Sequence, residues 1–263
     1  MNICHMTYHR ADDNVFETAI KTFREVSPDS MLVVTTDNVP EVLRDEWNKE
    51  YSITWDVVDP SQMEHRRATC KIERLKALMD ECEDGDCILV SDVDTYFLAD
   101  PFAPFEEWPD MQLGLTTRGY EYAFPINAGV FFIRVCPKMR EWIKWHLEEI
   151  FNPKWHAYVQ IKKKWNHYRK GLDWSVGQDF LIACWNERKR LFVRVRDVGP
   201  MYNFCPPTDL WGSKAKDMVV EAYQNKSASI LHLKSQLKRL VYDGRLPGCV
   251  TRHPKGRENW ENE

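Results

Sequence analysis

A chain of 263 residues, 43% hydrophobic and 13% aromatic, can bury a substantial core as one large domain. No window approaches the roughly 18 consecutive apolar residues that span a bilayer, and residues 1 to 25 have no basic stretch leading into an apolar one, so a soluble, cytoplasmic chain is expected. The eight cysteines stand singly with no Cys-x-x-Cys pair, which argues against a zinc module or a disulfide framework and for reduced core residues. The net charge of -4 hides an asymmetry, because residues 1 to 137 carry 12 Lys+Arg against 26 Asp+Glu, and residues 138 to 170 carry 9 against 3. An acidic first half suits a cation site and disfavours nucleic acid as a partner.

In chain order, residues 2 to 6 read as a strand. A helix follows from Asp12 or Asp13, with Phe16, Ala19, Ile20, Phe23 and Val26 at helical spacing. Met31 to Thr35 is a second strand, Val39 to Trp47 a helix, Tyr51 to Val58 a third strand, and Ser61 to Cys82 a long helix with Ile72, Leu75, Leu78 and Met79 on one face. The Asp84-Gly85-Asp86 turn then delivers the apolar strand Cys87 to Val90, which ends in two carboxylates, Asp92 and Asp94. In extended backbone, residues two apart project to the same side, so both carboxylates can face one cation just past the strand's end. In open α/β sheets that edge is where ligands bind.

Further strands are expected at Gln112 to Thr116 and Gly129 to Val135, making the sheet mixed, with an amphipathic helix over Lys138 to Phe151. From Lys154 to Lys170 aromatics alternate with bases, as suits a segment flanking an acceptor. Gly177-Gln178-Asp179 is expected to open a helix within Leu172 to Glu187, followed by strands Leu191 to Val195 and Ser229 to Leu233. If Ile230 to Lys234 is extended, His232 and Lys234 share a face, with Leu231 and Leu233 turned to the core. An imidazole can complete the coordination of an ion held by two carboxylates, and the nearby ammonium can neutralise a phosphate. Asn127-Ala128-Gly129 at the start of an apolar strand lets a ligand approach the backbone while the amide reads sugar hydroxyls.

The ordered set of an apolar strand with Asp-x-Asp, Asn-Ala-Gly-Val, Gly-Gln-Asp and His-x-Lys resembles glycosyltransferases of the GT-A fold, over about residues 1 to 240. The glycogenin-like and lipopolysaccharide galactosyltransferase-like group is most similar. The resemblance implies an α/β, Rossmann-like single domain over 1–263, with a mixed, mainly parallel central sheet flanked by helices. Residues 1–100 would form the nucleotide-binding half, 101–250 the acceptor-binding half, and 251–263 a polar tail. It implies transfer of a sugar from a nucleoside-diphosphate sugar, usually a UDP-sugar, to a glycan or glycoconjugate, with Mn2+ or Mg2+ as cofactor. By resemblance, Asp92 contacts ribose and metal, Asp94 and His232 ligate the metal, and Lys234 holds the diphosphate. Met6, Thr7, Tyr8 and Asp37 would grip base and ribose, and Lys71 and Arg74 the donor sugar or phosphate. Asn127 and Ala128 would read sugar hydroxyls, and Gln178 and Asp179 would lie beside the anomeric carbon, where the glutamine leans toward a retaining reaction.

Two rival readings are weaker. A haloacid dehalogenase-type phosphohydrolase continues Asp-x-Asp-x-Thr, whereas here Thr95 comes one position early and the motif lies deep in the chain. A non-catalytic carbohydrate-binding protein of the same fold would not need Asp92, Asp94, His232 and Lys234 together.

Overall fold

A computed structural model describes residues 1–9, 12–63, 67–117, 126–149, 173–206 and 213–253. The first half alternates strand and helix as expected: β1 (Asn2–Tyr8), α1 (Asp13–Val26), β2 (Met31–Thr36), α2 (Glu41–Tyr51), β3 (Ile53–Val57), α3 (Pro60–Met63), α4 (Arg67–Glu81) and β4 (Cys87–Ser91). Asp12 caps α1, its Oδ1 accepting from the Val15 N–H at 3.1 Å. Gly85, at φ 100°, takes the left-handed conformation that the turn before β4 requires.

Then come β5 (Thr95–Phe97), α5 (Ala103–Glu107), β6 (Leu113–Thr117), β7 (Ile126–Arg134), α6 (Pro137–Glu149), α7 (Asp173–Asn186), β8 (Val195–Asp197), α8 (Ser213–Gln224) and β9 (Ile230–His232). Several expected boundaries move. The helix after β2 runs on to Tyr51, shortening β3, and the last sheet strand is Val195–Asp197, not Leu191 to Val195. Because α7 begins at Asp173, Gly177-Gln178-Asp179 lies inside it and does not open it. The expected Ser61 to Cys82 helix is described as α3 and α4, with 64–66 outside the described residues, as are the basic aromatic segment 154–170 and residues 118–125.

Seven strands form one sheet in the order β3-β2-β1-β4-β7-β6-β8, and β5 pairs with β9 in a separate ribbon. β1, β2, β3 and β4 are mutually parallel, β7 is antiparallel to β4 and β6, and β8 is parallel to β6, so the sheet is mixed and mainly parallel. Alternate residues feed two cores, as the two-residue period of a strand dictates. Ile3, Val33, Ile88, Val90 and Ile133 pack with Leu75, Met79, Trp142 and Phe180 on one face. Cys4, Met6, Leu32, Val34, Leu89 and Phe132 pack with Phe16, Ile20, Phe23 and Trp47 on the other. Helices on both faces of a sheet make a three-layer α/β arrangement. All eight cysteines are free, six of them buried.

The chain order reverses between β2-β1 and β1-β4, which opens a crevice at the carboxyl ends of β1 and β4. β7 runs the other way beside β4, with Ser91 opposite Val130, so the amino end of β7 lies at the same edge. A register shift between Leu115 and Thr117 on β6 loosens that end of β7 from its other neighbour. Bulges of this kind re-aim side chains near active sites.

The end of the described chain is fastened to α1. The Val250 N–H donates to Thr18 Oγ1 at 2.9 Å, and Asn14 exchanges hydrogen bonds with the His253 backbone at 2.9 and 3.0 Å. The expected polar tail is thus docked as far as His253. Glu17, 1% exposed, accepts from Tyr51 Oη, Arg252 and His253. Burial disfavours the Glu17 charge, but hydrogen bonds, those from Arg252 and His253 foremost and Tyr51 with them, more than offset this and hold the carboxyl below its ordinary value near 4.5. A depressed carboxyl stabilises the fold above its unfolded pKa, and the stabilisation is lost as pH falls through the folded value. Arg252→Ala is therefore expected to cost about 1–3 kcal/mol at neutral pH, measured by urea unfolding, and the gap to wild type should narrow below about pH 4.5. A gap that does not change with pH would contradict this account.

Candidate active site

Asp92 and Asp94 follow β4 directly, and the ribbon brings His232 to them. Thr95 pairs with His232 across β5 and β9, and the Leu233 N–H donates to the Asp94 carbonyl at 2.6 Å. His232 Nε2 lies 3.0 Å from Asp94 Oδ1 and 3.6 Å from Asp92 Oδ2. The three residues each offer a ligand atom within 4.8 Å of the others. Neighbouring ligands of an octahedral ion at about 2.1 Å are themselves about 3 Å apart, so the spacing suits one divalent cation.

The donor set passes a second test. His232 is fully buried, and although Asp94 Oδ1 lies 3.0 Å from its Nε2, no well-aligned hydrogen bond forms there. A buried ring nitrogen beside two carboxylates without a well-aligned hydrogen bond is costly unless something else, such as a cation shared with them, satisfies it. Burial lowers the pKa of His232, against the pull of Asp94, and so favours the neutral imidazole that a metal requires. At Asp94 burial works the other way, but His232 when protonated, together with Lys238 and Lys234, outweighs it and holds the carboxyl below the usual range. With the imidazole neutral, the standing positive charge opposite Asp94 comes from the lysines, Lys238 Nζ lying 3.4 Å from Asp94 Oδ2.

Gly129 leaves the space in which this cluster forms. A Cβ there would meet His232 Cε1 at 2.0 Å, Nδ1 at 2.6 Å and Asp92 Oδ2 at 2.8 Å. The close approach expected at Asn127-Ala128-Gly129 is thus made by the protein's own histidine and aspartate. The Asp92 N–H donates to the Gly129 carbonyl at 2.6 Å, which ties the two strand ends together. Asn127 turns inward to His232 Nδ1, its Nδ2 at 3.2 Å, and the Ala128 N–H donates to Gln178 Oε1 at 3.3 Å. Gln178 on α7 is therefore brought to the same edge, while the Asp179 side chain lies outside what is described.

Lys71, on α4, donates to Asp92 Oδ1 at 2.8 Å, which leaves Oδ2 toward the imidazole. Arg74, one turn on, is held by Asp56 on β3 through both carboxylate oxygens. Asp56 also accepts from Thr35 at 2.8 Å, and Thr35 contacts His5 at 3.1 Å. Met6 and Tyr8 turn their side chains into the core, where Tyr8 stacks on Phe16 at 4.1 Å, so those positions offer a ligand main chain only. The Thr7 hydroxyl is buried and without a hydrogen bond. Asp37 accepts from His9 Nδ1 at 2.8 Å. β9 ends at His232, so Lys234 lies beyond the strand and is part-exposed.

Three contributors were not among the expected residues. Lys238 arrives through a 3-10 turn over Ser235–Lys238, one helical step past Lys234. His9 extends β1 toward Asp37. Asn203 lies in the Pro200–Asn203 turn, and its Oδ1 is 3.1 Å from His232 Nδ1. Its neighbour Phe204 pairs with β9, donating to the Ile230 carbonyl and accepting from the His232 N–H, both at 2.9 Å.

No protein-family model matches the sequence, and no curated protein sequence matches it significantly. Solved structures do. The fold is similar to that of the galactosyltransferase LgtC solved with donor and acceptor sugar analogs, with a TM-score of 0.52 and 18% identity over 97% of this chain and 98% of that one. It is similar to mouse xyloside xylosyltransferase 1, with a TM-score of 0.50 and 12% identity over 88% and 97% of the two chains. It is also similar to the glycosyltransferase GlyE of Streptococcus pneumoniae, with a TM-score of 0.50 and 17% identity, covering 89% of this chain but 54% of GlyE, so the chain spans about half of GlyE's length. The expected GT-A architecture is therefore the fold of this chain.

Proposed function

We propose that the chain is a metal-dependent glycosyltransferase that moves a sugar from a nucleoside-diphosphate sugar, a UDP-sugar in first place, to a hydroxyl of a glycan or glycoconjugate. The observation that carries this reading is the convergence of Asp92, Asp94 and His232 at the ligand-binding edge of a GT-A sheet. Asp92, Asp94 and His232 would hold the cation, and the mixed oxygen and imidazole set favours Mn2+ over Mg2+. When bound, such an ion stabilises the negative charge that develops on the departing diphosphate.

The other residues act around that event. Lys234 and Lys238 supply positive charge on the diphosphate side of the cluster, where stabilising a leaving group lowers the barrier most. Lys71, now held by Asp92, can turn to a phosphate or ribose oxygen without leaving its carboxylate. The Ala128 main chain helps orient the sugar while the buried Asn127 amide holds the His232 ring, and Gln178, bonded to the Ala128 N–H, is the neutral polar group proposed near the anomeric carbon in a retaining reaction. Asp179, the next residue on α7, is the proposed proton acceptor if the reaction inverts.

A panel of nucleotide sugars incubated with the purified chain, read by release of nucleoside diphosphate, tests the assignment. Release with one donor is expected with Mn2+ and is expected to vanish with a chelator. Metal-independent release, or binding without turnover on every donor and acceptor tried, would count against it.

A further inference from the structure

The ring of His232 sits between two amides that ask opposite things of it. Asn127 Nδ2 is 3.2 Å from Nδ1 and Asn203 Oδ1 is 3.1 Å from the same atom. Neither amide is free to rotate. Asn127 Oδ1 accepts from the Gly129 N–H at 2.8 Å, so its NH2 must face the ring. Asn203 Nδ2 donates to the Asn127 carbonyl at 3.3 Å, so its oxygen must face the ring. Nδ1 therefore meets one fixed donor and one fixed acceptor.

Each partner favours a different tautomer of the neutral imidazole. A hydrogen bond from Asn127 needs a bare Nδ1, which puts the ring proton on Nε2 and covers the lone pair a metal would use. A hydrogen bond to Asn203 needs a proton on Nδ1, which leaves Nε2 bare and directed at Asp92 and Asp94. A cation held by Asp92 and Asp94 requires Nε2 bare, so cation binding needs the second arrangement, in which the Nδ1 proton is donated to Asn203.

We infer that Asn203 is a positioning residue for cation binding, which holds His232 in the tautomer protonated at Nδ1 against the pull of Asn127. The inference rests on the reading of Asp92, Asp94 and His232 as a cation site. It assigns the outer hydrogen bond that a metal-binding histidine needs to a residue from a loop outside every motif of the sequence. Burial adds weight, since Asn203 is 2% exposed and Asn127 1%, so water cannot substitute for either amide.

Two substitutions separate this role from simple bracing of the loop. Asn203→Leu removes the acceptor, whereas Asn203→Asp keeps an oxygen toward Nδ1 and loses the N–H that supports the Asn127 carbonyl. With the full chain and Mn2+ alone, free ion measured by electron paramagnetic resonance, Asn203→Leu is expected to weaken binding about 10–100-fold. Asn203→Asp is expected to stay near wild type. Wild-type affinity in Asn203→Leu, or equal loss in both variants, would overturn the role. Long-range 1H–15N correlation spectra of the metal-free protein give an independent reading. The fraction of His232 protonated at Nδ1 is expected to be lower in Asn203→Leu than in wild type and Asn203→Asp, and an unchanged tautomer balance in Asn203→Leu would also overturn it. Should wild type bind no Mn2+, the cation reading fails, and the spectra still decide what Asn203 does to the ring.

Discussion

Asp94→Ala is expected to remove Mn2+-dependent nucleotide-sugar binding, with a loss of at least about 100-fold, the upper end of what losing a mere supporting group costs a metal site. The reason lies in how little of the cluster can compensate. Asp92 already shares one oxygen with Lys71, and His232 has only Nε2 to offer. Asp94 also pairs with Lys238, so its removal takes a negative charge away from beside that ammonium, next to the place where a cation must sit. Asp94→Asn, which keeps the size of the side chain and removes its charge, is expected to behave the same way. Isothermal titration of the donor with and without Mn2+ measures both. Normal Mn2+-dependent turnover in either variant would sink the assignment.

Gly129→Ala is the second large effect. A methyl group at 2.0 Å from His232 Cε1 cannot be accommodated by a small rotation, because the ring is enclosed and held at Nδ1 by two amides. Nor can the strand retreat easily while the Asp92 N–H is bonded to the Gly129 carbonyl. Overpacking of this kind costs about 1–3 kcal/mol, and here the strain falls on the ligand residues themselves. The expected result is a lower urea midpoint together with lost Mn2+ affinity. Gly114→Ala supplies the comparison, since its Cβ would meet Met111 Sδ at 2.7 Å and Val198 Cγ1 at 2.9 Å, contacts that involve no site residue. It is expected to lower stability while leaving the Mn2+ affinity intact. Retained affinity in Gly129→Ala would remove the glycine from the site's design.

What could be read from the sequence was local. The alternation of strand and helix up to Asp94 follows apolar periods of two and 3.6 residues, and each element's core face is written in its own segment. The Asp92, Asp94 and His232 cluster was accessible because a carboxylate pair at a strand end and a histidine in a short apolar strand are unusual local events. The helix Ser213–Gln224 was hidden by its composition, since its buried stripe is Ala215, Val219 and Ala222 and carries one large apolar side chain. Asn203 and Lys238 were hidden for a different reason. Neither belongs to a periodic pattern, and each reaches the site through a pairing made elsewhere, Phe204 with β9 for the first and the turn after Lys234 for the second. Lys234 itself shows the limit of period-two reasoning, which holds only as far as the strand extends.

The separate pairing of β5 with β9 divides the labour of holding the cluster. Gly129 lies on β7 of the seven-stranded sheet and Asp92 directly follows β4, whereas His232 rides on a ribbon of two short strands braced by α8 and the turn at Asn203. Short ribbons open at lower free energy than the centre of a large sheet, and they open as their own cooperative unit. A cation bound across the seam would have to be released before that unit could open. At a concentration about 100 times its dissociation constant it would add about 2.7 kcal/mol to the closed state.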